Sequence, residues 1–136
     1  MTRPPRTYLF VPGNRPERFA KALASGADAV VLDLEDAVID EAKASARESV
    51  AHWAVNAPAA ERERVVVRIN AAASSHFADD LRLLREAGLL DLMLAKAEQP
   101  EQLQAVQAGL PGARVLALVE SARGVAQADA LALSVA

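Results

Sequence analysis

The sequence contains no cysteine, which removes disulfides, thiolate metal centres and thiol nucleophiles together. It has no apolar run near the roughly 20 residues of a membrane-spanning helix. The apolar stretch after the basic N-terminus is only Tyr8-Leu9-Phe10-Val11, and Pro12-Gly13 stops it. That is too short for a signal-peptide core, so neither leader nor membrane partner is expected, and a reducing cytoplasm suits the chain. No basic residues gather into a stripe, and the formal net charge is −3. Nucleic acid is therefore not an expected partner, although a local cluster of cations still suits an anionic small molecule. Low-complexity segments are absent as well. His52 and His76 have no histidine or cysteine partner at ligand spacing and are expected on the surface. Ser121 lacks the nearby His and Asp that would activate it, which argues against a hydrolase triad.

What is present is a run of alternating strand and helix signals in 136 residues, enough for one domain. The clearest is Ala29-Val30-Val31-Leu32-Asp33-Leu34-Glu35-Asp36. Its aliphatic part reads as a strand buried on both faces, as in a parallel sheet. It ends in three carboxylates within four positions, which are costly to bury unless cations meet them. Other strands are expected at 7–11, 65–69, 90–95 and 114–119. Helices follow each: one opened by Pro16 and ended at Gly26, and one from about Glu41 to Trp53 with Asp40 as its cap. Another carries Phe77, Leu81 and Leu84 and closes at Gly88, and a short one is opened by Pro100. The last starts near Ala122 with Val125, Ala128 and Leu131 inward. Residues 56–64 read as a polar connection. Five βα units imply a parallel sheet with helical crossovers.

Crossovers of one hand put every strand's C-terminal end on one rim. That rim gathers Asn14 and Arg15, Asp33 to Asp36, Arg68 and Asn70, Lys96 and Glu98, and Glu120. Arg68 is expected to reach Asp33 or Glu35. It either fixes register as a buried ion pair or leaves part of its fork free for a substrate carboxylate or enolate oxygen. Glu120 either caps the helix after it or joins an oxygen-liganded Mg²⁺, which takes one or two carboxylates with waters and substrate oxygens. The turn from Pro12 to Arg18 is either an anion seat at a helix N-terminus or an ordinary turn. Lys96 is either an anion contact or the salt-bridge partner of Glu98.

In this order, the blocks Tyr8–Phe19 (YLFVPGNRPERF), Val31–Val38 (VLDLEDAV), Val66–Asn70 (VVRIN), Leu94–Glu98 (LAKAE) and Ala117–Gly124 (ALVESARG) resemble the citrate lyase β-subunit family. That family lies within the larger group of aldolase and acyl-CoA lyase barrels. The resemblance implies α/β architecture, namely the first five βα units of a TIM-type (β/α)₈ barrel, incomplete because a whole barrel takes about 250 residues. It implies Mg²⁺-dependent cleavage or formation of a C–C bond in a 3-hydroxyacyl thioester such as citryl-, malyl- or citramalyl-CoA. The products would be acetyl-CoA and a 2-oxo acid, and the carrier either CoA or an acyl-carrier protein.

By resemblance, Glu120 is a metal ligand, and a second carboxylate ligand is expected beyond Ala136. Arg68 binds substrate and steadies the enolate, with Glu35 and Asp36 beside it as catalytic residues. Asn14, Arg15 and Lys96 contact the substrate or its CoA end. A homo-oligomer, with a trimer as one form, is the expected assembly. Two other readings stand beside this one: a metal-dependent 2-oxo-acid aldolase without CoA, and a truncated remnant or assembly module.

Overall fold

The computed structural model describes residues 4–134. Five strands, β1 (Tyr8–Pro12), β2 (Ala29–Asp33), β3 (Val65–Ile69), β4 (Asp91–Leu94) and β5 (Arg114–Ala117), form one sheet in sequential order. Every neighbouring pair is parallel. The order contains no reversal, so the sheet has no topological switch point of the doubly wound kind. Parallel βα units added side by side in sequence are five consecutive units of the TIM-type (β/α)₈ pattern.

The helices are α1 (Phe19–Leu23), α2 (Lys43–Asn56), α3 (Ala59–Arg62), α4 (Phe77–Ala87), α5 (Pro100–Gly109), α6 (Ala122–Ala126) and α7 (Ala128–Leu133). One large apolar cluster joins Leu32, Val67, Ile69, Leu92 and Leu94 of the sheet to Ala46, Val50, Leu84, Leu103 and Val106 of the helices. Burying each such Leu or Val contributes about 1.5–3 kcal/mol. A second, smaller cluster on the opposite face holds Ala29, Val31, Val66 and Met93, with Tyr8 and Leu118 against it. Because side chains alternate along a strand, Asp33 and Arg68 project from this second face, two positions beyond Val31 and Val66. All five residues of β2 are buried, as a strand covered on both faces requires.

Several local expectations are corrected. Asp40 does not cap α2: it begins a 3₁₀ turn, Asp40–Ala42, whose N-cap is Ile39, and no side chain caps it. The buried stripe of α2 is Lys43, Ala46, Val50 and Ala54. Trp53 sits at its margin, edge-on to Phe19 with ring centroids 6.4 Å apart. The polar connection at 56–64 contains the short α3. The final helical segment breaks at Gln127, which leaves Val125 and Ala128 exposed and only Leu131 of the expected stripe buried. No helix among the described residues is long and apolar enough to cross a membrane.

Candidate active site

Strand register creates the centre of the site. Asp33, the last residue of β2, is paired with Arg68 of β3. Side chains opposite each other in register meet, and here they form a fork: Arg68 Nε donates to Asp33 Oδ1 at 2.7 Å and Nη2 to Oδ2 at 2.5 Å. The Asp33 carboxylate is fully buried. It also accepts the backbone N–H groups of Glu35 and Ala37, at 2.9 and 3.0 Å. Burial of such a charge is tolerated because every lone-pair direction is met by a donor. The bond to Asp33 holds the guanidinium of Arg68 above its ordinary pKa, with Glu35 and Asp36 adding attraction against the cost of burial. The Phe10 ring lies under it, 5.0 Å from centroid to Cζ, a cation–π contact.

The third nitrogen of Arg68, Nη1, stands 3.4 Å from Glu35 Oε2. Glu35 Oε1 accepts from Lys96 Nζ at 2.8 Å, and Asp36 Oδ1 lies 3.9 Å from the same ammonium. The Glu35 bond, then the fields of Glu35, Asp36 and Glu120, push the Lys96 ammonium above its ordinary pKa. Lys96 and Glu98 do not pair: Glu98 instead accepts from Ser121 Oγ at 2.7 Å. Glu120 Oε1 accepts the backbone N–H of Lys96 at 2.7 Å, and among the described residues no hydrogen bond fills its other oxygen. The Ser121 hydroxyl, not Glu120, caps α6, by accepting from the Gly124 N–H.

Behind these groups lies a buried polar layer in which Asn70, expected at the rim, is joined by Lys43, Asp80 and Arg47, which sequence reasoning missed. Lys43 Nζ donates to the carbonyls of Leu34 and Glu35 at 2.8 and 2.9 Å. Asn70 Nδ2 donates to the same Leu34 carbonyl and to Asp80 Oδ2, while Asp80 Oδ1 accepts from Arg47. Asp80 is fully buried. Lys43 had a faint sequence signal, since it sits at helical spacing with Ala46 and Val50 on the inward stripe of α2. These bonds fix the peptide groups that carry Glu35 and Asp36. A recess of about 260 Å³ opens beside them, lined by Glu35, Asp36, Lys43, Asn70, Ser74 and Lys96 among others.

On β1's side, Gly13 donates its N–H to the Asp33 carbonyl at 2.7 Å. A Cβ on Gly13 would lie 2.8 Å from that oxygen, so only glycine permits the approach. The next residue, Asn14, keeps its Oδ1 buried without a hydrogen-bond partner among the described residues. Such an orphan acceptor on the rim fits a donor arriving with a ligand. Arg15 is exposed, 3.9 Å from Glu17. His52 is exposed as expected, whereas His76 is partly buried and 3.7 Å from Asp40.

The structure therefore brings together Arg68, Glu35, Asp36, Lys96 and Glu120, with Asn14 and Arg15 on the adjoining turn. Among the described residues, no three His, Cys, Asp or Glu side chains are grouped to hold a metal by themselves. Glu35 has both oxygens engaged. Glu120 offers one free oxygen on an exposed, oriented carboxylate, which fits a hard cation that takes a single protein carboxylate and completes its shell with other oxygens.

The sequence pattern of the HpcH/HpaI aldolase/citrate lyase family matches residues 6–136. A citrate lyase subunit beta-like protein of Mycobacterium tuberculosis is 43% identical over 125 residues, covering 92% of this chain and 42% of that protein. An L-malyl-CoA/beta-methylmalyl-CoA lyase of Cereibacter sphaeroides is 34% identical over 145 residues, covering 97% of this chain and 45% of that one. The solved citrate lyase beta subunit from M. tuberculosis, complexed with oxaloacetate and magnesium, superposes with a TM-score of 0.81 at 42% identity. That match covers 93% of this chain and 52% of the solved one. The chain thus spans less than half the length of these two relatives.

Proposed function

The chain belongs to the HpcH/HpaI aldolase/citrate lyase family, and we propose that it carries the substrate-facing part of a Mg²⁺-dependent carbon–carbon lyase. The substrate is a 3-hydroxyacyl thioester such as citryl-, malyl- or citramalyl-CoA, and the products are acetyl-CoA and a 2-oxo acid. Residues 1–136 then form one domain, the N-terminal part of a (β/α)₈ barrel.

The observation that carries this reading is the Arg68 fork. Two of its nitrogens are spent on buried Asp33, and the third edge faces the rim beside Glu35. In the cleavage direction, the substrate hydroxyl loses its proton, the C2–C3 bond breaks, and C3 becomes the carbonyl of the 2-oxo acid. The bonding pair passes to the thioester, whose oxygen gains enolate charge until C2 takes up a proton. A guanidinium already fixed by Asp33 and Phe10 meets that charge without reorganising, which is the main requirement of electrostatic catalysis. Glu120 would hold the metal, and Glu35 and Asp36 would order the oxygens around it. When bound, Mg²⁺ supplies Lewis-acid polarisation of the 2-oxo acid oxygens. Asn14 Oδ1 and Arg15 would meet the thioester end, and the half-exposed ammonium of Lys96, bonded to Glu35, would add positive charge on the rim.

The expected second metal carboxylate would come from further polypeptide of the same or another copy. The unpaired outer edges of β1 and β5, with Phe10 and Leu116 exposed, support such completion and a homo-oligomer, with a trimer as one form. The absence of cysteine supports a cytoplasmic setting.

The test is release of a 2-oxo acid from citryl-, malyl- and citramalyl-CoA with Mg²⁺ present. Arg68→Ala should lose at least about 100-fold in kcat, the scale of one oxyanion donor. Turnover unchanged by that substitution would remove Arg68 from the mechanism, and release that proceeds equally from the free hydroxy acids would remove the thioester.

A further inference from the structure

Lys96 is the only non-glycine residue among those described with a positive φ, 52°. A left-handed backbone costs an L-residue about 1–2 kcal/mol, and such strain persists only where the surroundings over-determine it. Here two backbone bonds do so. The Lys96 N–H reaches Glu120 Oε1 at 2.7 Å, and the next N–H, of Ala97, reaches the Leu118 carbonyl at 2.9 Å. The contact is answered from the other side, because Ser121 Oγ donates to Glu98 Oε1 at 2.7 Å. The loops after β4 and β5 are therefore clasped twice, each lending a carboxylate to a donor of the other. Gly124 lets them close: a Cβ there would fall 2.7 Å from the Ala97 carbonyl.

We propose that the left-handed backbone of Lys96 is a positioning device for Glu120, its N–H holding one carboxylate oxygen so that the other faces a divalent cation. The inference rests on the reading of Glu120 as a metal ligand. It assigns the backbone of Lys96 a job separate from its ammonium, which is held by Glu35. Glycine would occupy φ 52° at no steric cost, and its absence is explained if the side chain is also used. The strain is then the consequence of needing both an ammonium and an inward-turned N–H at one residue.

The two roles separate by substitution. Lys96→Gly removes the ammonium and keeps the left-handed backbone easy. Lys96→Ala removes the same ammonium and makes that backbone unfavourable. With Mg²⁺ alone as the probe, calorimetry should give Lys96→Ala an affinity about tenfold weaker than Lys96→Gly, both lacking the ammonium, the lower end for a residue that orients a metal ligand. A second readout is independent of metal and of how either Lys96 variant folds. In the wild-type chain, the Lys96 amide proton should resonate far downfield, and Glu120→Gln should move it upfield. Equal Mg²⁺ affinity in the Gly and Ala variants, or an amide resonance indifferent to Glu120→Gln, overturns the positioning role. Absence of Mg²⁺ binding by the wild type, or binding untouched by Glu120→Gln, overturns the metal reading itself. The amide resonance then still reports whether the Lys96–Glu120 bond exists.

Discussion

Replacing Asp33 with Asn changes one atom and should cost more stability than any other single-atom change at the rim. The carboxylate accepts four hydrogen bonds: two from Arg68 at 2.7 and 2.5 Å, and two from backbone N–H groups at 2.9 and 3.0 Å. An amide in the same position turns an NH₂ toward donors and leaves Arg68 without its main counter-charge. Breaking a buried pair by removing one partner costs about 3–5 kcal/mol. Arg68 keeps Glu35 at 3.4 Å and the Phe10 ring at 5.0 Å, which places the loss at the lower end, about 3 kcal/mol. With a urea m-value of about 2 kcal/mol/M, the unfolding midpoint should fall by roughly 1.5 M. The single tryptophan, Trp53, packs edge-on to Phe19 and reports the transition by fluorescence. A double-mutant cycle with Arg68→Met isolates the pair, and the coupling should exceed about 2 kcal/mol. A coupling below about 1 kcal/mol is the value of an exposed surface pair, and would refute the claim that Asp33 pre-organises Arg68.

Gly13→Ala should destabilise by about 1–3 kcal/mol in the same urea assay, because the new Cβ meets the Asp33 carbonyl at 2.8 Å and Leu34 Cδ2 at 3.0 Å; a neutral result would mean the β1 turn moves freely. Lys43→Met should change global stability by less than about 1 kcal/mol, since the Leu34 and Glu35 carbonyls keep Asn70 Nδ2 and the Val38 N–H as donors while the cost of burying an ammonium is relieved. The same variant should speed amide exchange at Asp36 to Val38, and unchanged exchange would remove Lys43 from the support of that turn. Lys96 has a folded pKa raised by Glu35 above 10.5, so its contribution is present below that pH and lost as pH rises through the folded value. Lys96→Met should flatten the alkaline fall of stability above pH 10.5, and superimposable wild-type and variant curves would contradict the assignment.

The order of strands and the rim were legible in the sequence because each strand is a short aliphatic run ended by a charged or polar residue. Sequential βα alternation leaves few topologies, and register then brings Asp33 to Arg68. The choice of Asp33 over Glu35 as the main partner of Arg68 was not legible, since both lie within side-chain reach and only register decides. Lys43 and Asp80 were hidden for a different reason. Charged residues on a helix read as its solvated face, and nothing local reveals that a neighbouring loop presents carbonyls to that face. The Val125 and Ala128 expectation failed because the stripe was extrapolated through Gln127, where one helix ends and the next begins. The φ of Lys96 had no sequence signal at all, because lysine is not a residue that advertises a left-handed turn.

Charge accounting ties these features together. The rim and its support bring four carboxylates, Asp33, Glu35, Asp36 and Glu120, against three cations, Arg68, Lys96 and Lys43, a formal balance of −1. The cations are not spread evenly. Arg68 and Lys96 gather on Glu35 and its neighbours, while among the described residues Glu120 accepts a hydrogen bond from a backbone N–H alone and feels the Lys96 ammonium from farther off. Among the described residues, the one of these carboxylates with no cation within 4 Å is therefore Glu120, in the loop after β5. A divalent cation arriving there would bring the balance to +1, and a substrate carrying one carboxylate would return it to zero. This sequence of charges gives the order of events a physical basis: metal before acid. Steady-state inhibition should accordingly show a 2-oxo acid with one carboxylate, such as pyruvate, competing only when Mg²⁺ is present, and metal-independent inhibition of equal strength would place the acid on Arg68 alone.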